Sequence, residues 1–366
     1  MALLKPATSL IGIFARRDHS LKFKKDVTIL KLLGGGSLAI AFPAFLGLRE
    51  KYPDLHIRLV TTRKTAPFAR SLNVFDDIQE VDDSGIIRLA LSSIGCFFSA
   101  FGTDTIIDLE AYSNLSRVFA LFTCSRNRIG FYQESAFWRR GIATHLFYFN
   151  HYAGTFAMYD KVFQPFTVSP ASQEECREHL IKGIPEIEQP VKYRISIGHG
   201  CSDLGTERML SAEQWEQVFI SRIDTERETE IAFLGVVKDS ALAAEITEKV
   251  SAKMPKVDFI DFCGKTTLAE SLSILRSSDE FWGIDSSLIH YARLFDLKTV
   301  SFWGPTDPET RLREFPGIRE EVIYKKIPCS PCVHITEKLP CGGDNICIRG
   351  LFEDKKLDWI DMIAWP

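Results

Sequence analysis

The sequence predicts a two-domain α/β protein in which each domain is built on a parallel β-sheet. Two consecutive series of apolar strands alternate with helical segments along the chain. A stretch rich in proline, glycine and charge, around residues 183–190, separates the two series. The length of 366 residues also exceeds what one hydrophobic core usually serves. We therefore expect one domain over residues 1–185 and a second over residues 186–366.

The first series opens with a strand–helix–strand unit. Residues 27–33 form a β-branched and leucine run that predicts a buried strand, and residues 34–37 (Gly-Gly-Gly-Ser) predict a tight turn. Helical spacing follows over residues 38–51 and a second strand over 56–60. Such a unit implies parallel strands joined by a right-handed crossover. Further strands are predicted over 105–109 and 128–131, whereas residues 133–160 break the rhythm.

The second series repeats this alternation. Strands are predicted over residues 193–197, 230–234, 257–259, 280–283 and 299–303, with helices between them. The helix over residues 211–220 opens on Ser211-Ala212-Glu213-Gln214, which has the spacing of a capping box. Both halves therefore predict the same kind of domain.

Composition excludes several classes of function. A net charge of -4 and a pI near 6.1 argue against broad nucleic-acid binding. No window approaches the roughly 20 apolar residues that a transmembrane helix needs. The apolar residues 8–15 precede Arg16-Arg17, the reverse of a secretory signal, so we expect a packed N-terminal arm or a membrane-surface anchor. Without an export signal, we expect a cytoplasmic protein with reduced thiols.

The most informative segment is Gly283-Ile284-Asp285-Ser286-Ser287-Leu288-Ile289-His290. An apolar strand ends at Gly283, and Asp285 or Ser286 would cap the helix that follows. The unpaired N–H groups of a first helical turn form an anion site, and ligands of open α/β sheets bind at the carboxyl ends of strands. A plain helix cap with a packed His290 is the alternative interpretation of the segment taken alone.

Motifs on both sides of this segment give it a context. Upstream stands Gly264-Lys265-Thr266-Thr267-Leu268, and downstream Gly304-Pro305-Thr306-Asp307-Pro308. In the first half, Gly36-Ser37-Leu38, Pro43-Ala44-Phe45 and Tyr52-Pro53 follow one another, and Arg128-Ile129-Gly130-Phe131 comes later. In order and spacing these motifs resemble glycosyltransferase family 9, the heptosyltransferases of lipopolysaccharide assembly, over roughly residues 27–350.

The resemblance implies a GT-B fold, two Rossmann-like domains facing each other across a cleft that holds a nucleotide sugar. It implies inverting sugar transfer that requires no cofactor, since helix dipoles and basic side chains stabilise the leaving diphosphate. The predicted donor-binding residues are Gly198, Thr206, Arg208, Gly235, Asp285, Ser286, Ser287 and His290. The family's phosphate-contacting lysine aligns with Glu207, so Arg208 and Thr206 are the expected replacements.

The general base has no direct counterpart in the family motif. The family's acid aligns with Ser37, and a serine hydroxyl cannot act as a general base at neutral pH. Glu110 and Asp108, at the end of a predicted strand, are the candidate bases, and Glu110 is preferred. A solvated surface role for Glu110, a different reaction, or binding without catalysis are the alternatives.

A cluster of four cysteines lies near the C-terminus. Cys329, Cys332, Cys341 and Cys347 have C-x2-C-x8-C-x5-C spacing, and four thiolates can complete a tetrahedral sulfur site. Three alternatives stay open: a structural zinc or iron, free thiols, or one or two disulfides. The five other cysteines are scattered and predicted to pack as small apolar residues.

The acceptor site is predicted around residues 132–160. Ser37, Arg128, Arg139 and Arg140, with nearby aromatic residues, would meet a glycan or glycolipid acceptor at the membrane surface. A solvated basic face over an aromatic core is the alternative.

The leading hypothesis is therefore an inverting transferase that moves a sugar, heptose from ADP-heptose by preference, onto a cell-surface glycan such as the lipopolysaccharide core. A nucleotide-sugar-binding protein without transferase activity and a GT-B-fold nucleotide-sugar epimerase are the alternatives. The chain would be cytoplasmic and peripheral to the inner membrane.

Overall fold

The computed structural model describes residues 18–133, 142–202, 205–333, 335–336 and 338–352. The chain divides into two compact units, Met1–Gly183 and Ile184–Pro366. Each unit contains a six-stranded sheet in which the described strand pairs are all parallel. The predicted α/β class and the predicted parallel sheets are thereby confirmed.

The first unit alternates strands and helices around one sheet of order β3-β2-β1-β4-β5-β6. Its strands are β1 (Asp26–Leu30), β2 (His56–Thr62), β3 (Asp77–Val81), β4 (Thr105–Asp108), β5 (Asn127–Tyr132) and β6 (His145–Tyr148). Its helices are α1 (Gly35–Lys51), α2 (Ala66–Leu72), α3 (Ile86–Ala100), α4 (Asn114–Phe122), α5 (Thr155–Phe163) and α6 (Gln173–Lys182).

The second unit repeats the arrangement, with strand order β12-β11-β10-β7-β8-β9. Its strands are β7 (Tyr193–Gly198), β8 (Thr229–Phe233), β9 (Val257–Asp261), β10 (Glu280–Ile284), β11 (Lys298–Trp303) and β12 (Glu320–Tyr324). Its helices are α7 (Ala212–Arg222), α8 (Ser240–Val250), α9 (Leu268–Arg276), α10 (Ser287–Leu294), α11 (Pro308–Arg311) and α12 (Ile346–Arg349).

The first predicted strand and helix differ from the structure at their shared boundary. Strand β1 ends at Leu30, three residues before the predicted end, and α1 begins at Gly35, inside the predicted turn. The N–H groups of Leu32 and Leu33 donate to the Glu110 carboxylate, which removes them from the sheet ladder. Gly34 adopts a φ of 91°, a left-handed conformation suited to glycine, and so allows the chain to enter the helix at once.

Helix α1 is the central element of the first unit's core. Its residues 38–48 are buried, because the helix is apolar on nearly every side. The second unit centres on Trp215 and Phe219 of α7, which pack with Phe233 and Phe302 from the sheet. Each fully buried side chain of this size contributes about 1.5–3 kcal/mol of burial free energy. These cores fix the strands whose ends carry the candidate site.

Polar residues set the start of several helices. The predicted capping box of Ser211 and Gln214 is present at α7, and Thr267 with Glu270 forms another at α9. Each box satisfies two backbone N–H groups that have no partner inside the helix. Within the described parts of the chain, no helix combines the length and the apolar character needed to span a bilayer.

Candidate active site

The strand orders place one ligand-binding position in each unit. Both sheets have the doubly wound order 3-2-1-4-5-6, and ligands bind at the carboxyl ends of the strands where that order reverses. In the first unit this switch point lies between β1 and β4, where Leu30 pairs with Asp108. In the second it lies between β7 and β10, where Gly198 pairs with Gly283. The residues that follow these strands are therefore the candidates for ligand contact.

A candidate anion site follows strand β10, at the switch point of the second unit. Strand β10 ends at Ile284, Asp285 and Ser286 follow it, and α10 begins at Ser287. The Ser286 side chain does not cap the helix, and its Oγ is buried without a hydrogen-bond partner among the described residues. A buried polar atom without a partner is costly, and a bound anion or sugar hydroxyl would satisfy it. The first N–H groups of α10 likewise have no hydrogen-bond partner within the helix.

Arg208 reaches this position from the turn that follows β7. Its Nη1 donates to the backbone oxygen of Asp285 at 2.7 Å, and lies 3.4 Å from the Asp285 Oδ2. Its Nε donates to the Gly205 carbonyl at 3.0 Å, which fixes the side chain. The structure thus brings Arg208, Asp285 and Ser286 together, while Thr206 stands exposed in the same turn. A guanidinium beside helix N–H groups is suited to a diphosphate.

Charge balance keeps Asp285 ionised and His290 neutral. Burial opposes ionisation of Asp285, but Arg208 and Arg311 outweigh it and hold its pKa below the usual range. Burial lowers the pKa of His290 to about 3, despite the opposing effect of Asp285. The imidazole is therefore uncharged near pH 7, so that it can exchange hydrogen bonds but not act as a phosphate-binding cation.

Two predicted glycines, Gly198 and Gly235, lie at strand ends where a larger side chain would collide with its neighbours. A Cβ at Gly198 would lie 2.6 Å from Phe281, and a Cβ at Gly235 would lie 2.6 Å from Oδ2 of Asp239. That carboxylate accepts from the Val236 N–H at 2.9 Å and shapes the loop after β8. Asp239 was not among the predicted donor-binding residues, although it lies in the same loop as Gly235.

The first unit's switch point is organised by Glu110. Its Oε1 accepts from Lys31 Nζ at 2.9 Å and from the N–H groups of Leu32 and Leu33 at 2.7 and 3.1 Å. Both side chains are mostly buried, with exposures of 7% for Lys31 and 12% for Glu110. Among the described residues these bonds all end on Oε1, which leaves Oε2 as the oxygen for a ligand proton. Lys31 was not predicted, although a lysine within the apolar run of residues 27–33 was a signal of a buried charge.

Burial disfavours the positive charge of Lys31, but neighbouring groups stabilise that charge. Tyr159, Glu110 and Asp108 together outweigh desolvation and raise the pKa of Lys31. The lysine is therefore charged and stabilises the Glu110 carboxylate next to it. Glu110 is mostly buried and paired with Lys31, so it is not the solvated surface glutamate of the alternative interpretation.

The second candidate base, Asp108, is buried below the edge of the sheet. Its Oδ1 accepts from the Glu110 N–H at 3.0 Å and its Oδ2 from Ser116 Oγ at 2.9 Å. Burial raises the pKa of Asp108 to about 7, although both hydrogen bonds favour the ionised form. The carboxyl is only 4% exposed, so a structural role suits it better than proton transfer to a ligand.

Asp108 predicts a pH-dependent stability. Below about pH 4 this carboxyl is protonated in the folded and the unfolded chain, and the raised pKa has no effect. As the pH rises towards 7, only the unfolded chain ionises readily, so stability falls, by up to about 4 kcal/mol for this shift. We therefore expect Asp108→Asn to raise the melting temperature relative to the wild type more at pH 8 than at pH 5. Differential scanning fluorimetry measures this, with the exposed Asp54→Asn as control. An equal difference at both pH values would show that the pKa of Asp108 is not raised.

The predicted acceptor residues are not brought together by the described structure. Ser37 lies half-buried in the first turn of α1, near the carboxyl end of β1. Arg128 lies near the amino end of β5, where its guanidinium donates to the carbonyls of Ile142 and Ser125. The candidate ligand position lies at the carboxyl ends of the strands, whereas Arg128 lies near the amino end of β5. Arg139 and Arg140 lie outside the described residues.

The four clustered cysteines lie near the loop after β11. The Cys332 N–H donates to the Pro305 carbonyl at 3.0 Å, and a Cβ at Gly304 would lie 3.0 Å from the Cys347 sulfur. Burial, reinforced by the neighbouring thiols, raises the pKa of Cys332 to about 11 and that of Cys347 to about 12. The cysteines are free thiols, so the disulfide alternative is not formed.

The described residues include no group of three or more His, Cys, Asp or Glu side chains placed to hold a metal ion. The metal site stays a prediction. About one zinc or iron per chain in untagged protein, measured by plasma mass spectrometry, would support it, and metal-free protein would leave the free-thiol alternative.

Comparison with known proteins agrees with the motifs. The sequence model of glycosyltransferase family 9 (heptosyltransferase) matches residues 165–342. The chain is 24% identical over 159 residues to lipooligosaccharide heptosyltransferase 2 of Campylobacter jejuni, a match that covers 43% of this chain and 48% of that protein. It thus spans about half the length of this relative. Residues 165–342 thus match the family that the motifs indicated.

Solved structures show the same fold. A family 9 glycosyl transferase from Veillonella parvula has a TM-score of 0.63 at 16% identity, with 84% of this chain and 87% of that chain covered. E. coli heptosyltransferase WaaC with ADP-2-deoxy-2-fluoro heptose has a TM-score of 0.62 at 13% identity, with 81% and 92% covered. The predicted GT-B class of two Rossmann-like domains is confirmed.

Proposed function

We propose that the protein is an inverting glycosyltransferase that moves a sugar from a nucleotide donor onto a glycan acceptor. The observation that carries the proposal is the anion site at the β7/β10 switch point. There, Arg208 pairs with the ionised Asp285, and the next residue opens α10 with a Ser286 Oγ that is buried without a partner among the described residues. This combination suits the diphosphate of a departing nucleotide, on which negative charge develops.

In the proposed reaction an acceptor oxygen attacks the anomeric carbon from the face opposite the nucleoside diphosphate, which leaves with the bonding electron pair. Inversion follows from this single displacement. Glu110 takes the hydroxyl proton on Oε2, while Lys31 holds Oε1 in place. Arg208 and the helix N–H groups stabilise the leaving diphosphate. These residues supply the charge stabilisation and the proton transfer, and the proposed reaction uses no cofactor.

The donor is proposed to be ADP-heptose and the acceptor the core of a lipooligosaccharide or lipopolysaccharide. The family domain and the Campylobacter heptosyltransferase support this choice of sugar and acceptor. A lipid-linked acceptor would be met at the cytoplasmic face of the inner membrane, where nucleotide sugars are available.

Product analysis tests the proposal. The purified chain is incubated with ADP-heptose and a heptose-deficient lipooligosaccharide core, and the mixture is analysed by mass spectrometry. We expect the acceptor to gain one heptosyl residue while an equal amount of ADP is released. ADP release without a glycosylated product would indicate hydrolysis, and no reaction with any nucleotide sugar would contradict the proposal.

Two observations on this chain favour a second function. Ser37 stands where the family has its acid, and Glu110 Oε1 already accepts three hydrogen bonds. A protein that binds a nucleotide sugar without transferring it would satisfy both facts. Micromolar donor binding with no product from a range of acceptors would favour this second function.

A further inference from the structure

Helix α3 presents an apolar face to solvent. Ile87, Leu91, Ile94 and Phe98 recur at intervals of four, three and four residues, which places them in one stripe along the helix. Between 52% and 76% of each of these residues is exposed. The helix buries Cys96 and Ala100 fully, and Leu89 in part, against its own unit. An amphipathic helix normally turns its apolar stripe to the core, so this arrangement indicates a surface that is covered by a partner.

The face extends onto the neighbouring helix α4. The rings of Phe97 and Phe119 lie 6.4 Å apart, and the Gly102 N–H donates to the Thr123 carbonyl at 2.8 Å. These contacts set the ends of the two helices side by side. We define the apolar face by its eight exposed side chains: Ile86, Ile87, Leu91, Ile94, Phe98, Phe101, Leu115 and Phe122.

Basic residues flank the apolar face at both ends of α3. At the amino end, exposed Arg63 pairs with Asp82 at 2.8 Å, and Arg88 Nη1 donates to Ser84 Oγ at 3.2 Å. Arg88 is the one charged residue within the helix. Exposed Lys64 adds to this end, and Asp83 is the exposed acid there.

The carboxyl end of α3 has a similar charge. Lys22, Lys24 and Lys25 are exposed, and the Lys24 N–H donates to Asp104 Oδ2 at 2.9 Å, just beyond the end of the helix. Asp18 is the exposed acid at this end and lies 3.6 Å from Lys24. The face is thus apolar in its middle and mainly basic at its two ends.

This charge pattern selects among the possible occupants. If a second copy paired with the same face, its basic ends would meet basic ends in both the parallel and the antiparallel orientation. Like charges brought together in that way are unfavourable. A membrane with anionic headgroups satisfies both features, because apolar side chains enter the acyl boundary and basic residues meet the headgroups.

We infer that the α3–α4 apolar face docks the protein on a membrane surface that contains anionic lipids. The inference deepens the proposed function and rests on it in one respect: an acceptor anchored in a lipid layer requires an enzyme that binds that layer. The stripe would lie parallel to the membrane plane, with Phe98 and Phe101 among the inserted side chains.

Vesicle co-sedimentation of the full chain tests the inference. Vesicles of phosphatidylethanolamine with phosphatidylglycerol are compared with pure phosphatidylcholine vesicles. We expect binding to the anionic vesicles, weakened in 0.5 M salt, and at least tenfold weaker binding for Leu91→Glu/Phe98→Glu. Ile220→Glu, at a residue of α7 that is 53% exposed, is the matched control and should bind as the wild type does. Lys22→Gln/Lys25→Gln should lose about fivefold per lysine at low salt.

Two further measurements separate the inference from its alternatives. Circular dichroism verifies that the variants fold, and the milder Leu91→Ser/Phe98→Ser variant replaces the double glutamate variant if that one does not. Transfer to a deacylated, water-soluble acceptor should be unchanged in the double variant. If the proposed function fails, that assay gives no product in any variant, while vesicle binding still reports on the face.

Three results would overturn the inference. The first is equal vesicle binding by the wild type and by Leu91→Glu/Phe98→Glu. The second is a wild-type dimer in sedimentation velocity that the double variant dissolves, which would identify a second copy as the occupant. The third is vesicle binding that appears only after removal of residues 2–14, which would assign the face to the chain's own apolar N-terminal residues.

Discussion

Replacing Glu110 with glutamine is expected to lower kcat for sugar transfer by about 10²- to 10⁴-fold, the usual contribution of a general base. Glutamine keeps an oxygen for the Leu32 and Leu33 N–H groups, so the loop after β1 should hold its shape. What the variant loses is the carboxylate that takes the acceptor proton and balances Lys31. Nucleotide affinity should not change, because the anion site belongs to the other unit.

The Glu110→Gln measurement needs two controls. Glu50→Gln replaces an exposed glutamate of α1 and should leave kcat unchanged. Asp108→Asn tests the other candidate base and should lower kcat much less than Glu110→Gln, because Asp108 is buried against Ser116. Unchanged turnover in Glu110→Gln would remove Glu110 as the base. A large loss confined to Asp108→Asn would transfer the role to Asp108.

The second large effect is expected at Arg208. Arg208→Ala should weaken ADP binding by about 1–3 kcal/mol, or roughly 5- to 150-fold in Kd, as for the loss of a charged hydrogen bond. The variant removes the guanidinium that donates to the Asp285 carbonyl at the start of α10. Isothermal titration calorimetry measures this change directly.

The controls for Arg208→Ala separate binding from stability. Removing Arg208 leaves the buried Asp285 carboxylate with less compensation, so the melting temperature is measured beside the affinity. Arg208→Lys keeps a cation and should recover part of the affinity. Arg222→Ala, which breaks the exposed ion pair with Glu321, should leave ADP binding unchanged. An unchanged Kd in Arg208→Ala would remove the residue from the diphosphate site.

The sequence was sufficient to predict the fold because local signals agreed with the global pattern. Alternating apolar runs and helical spacing indicated two parallel sheets, and the capping box at Ser211 marked the start of α7. Strands β3, β6 and β12 were not predicted. Their residues are mostly half-buried or exposed, so they lack the continuous apolar run that marks a buried strand.

Contacts within the candidate site were predicted only where chain neighbours form them. Asp285, Ser286 and Ser287 follow one strand and open one helix, so the sequence alone indicated an anion site. Lys31 and Glu110 are 79 residues apart, and only the pairing of β1 with β4 brings them together. The position of Arg128 near the amino end of β5 likewise depends on strand register, which its motif does not encode.

The central claim is that the β7/β10 switch point holds the diphosphate of an activated sugar. Calorimetric titration of the purified chain with ADP, UDP, GDP and CMP, followed by ADP-heptose, tests it most directly. We expect ADP to bind selectively, and ADP-heptose to bind at the same stoichiometry in competition with it. Preference for another nucleotide would keep the site and change the sugar. Binding of none of these ligands would contradict the claim.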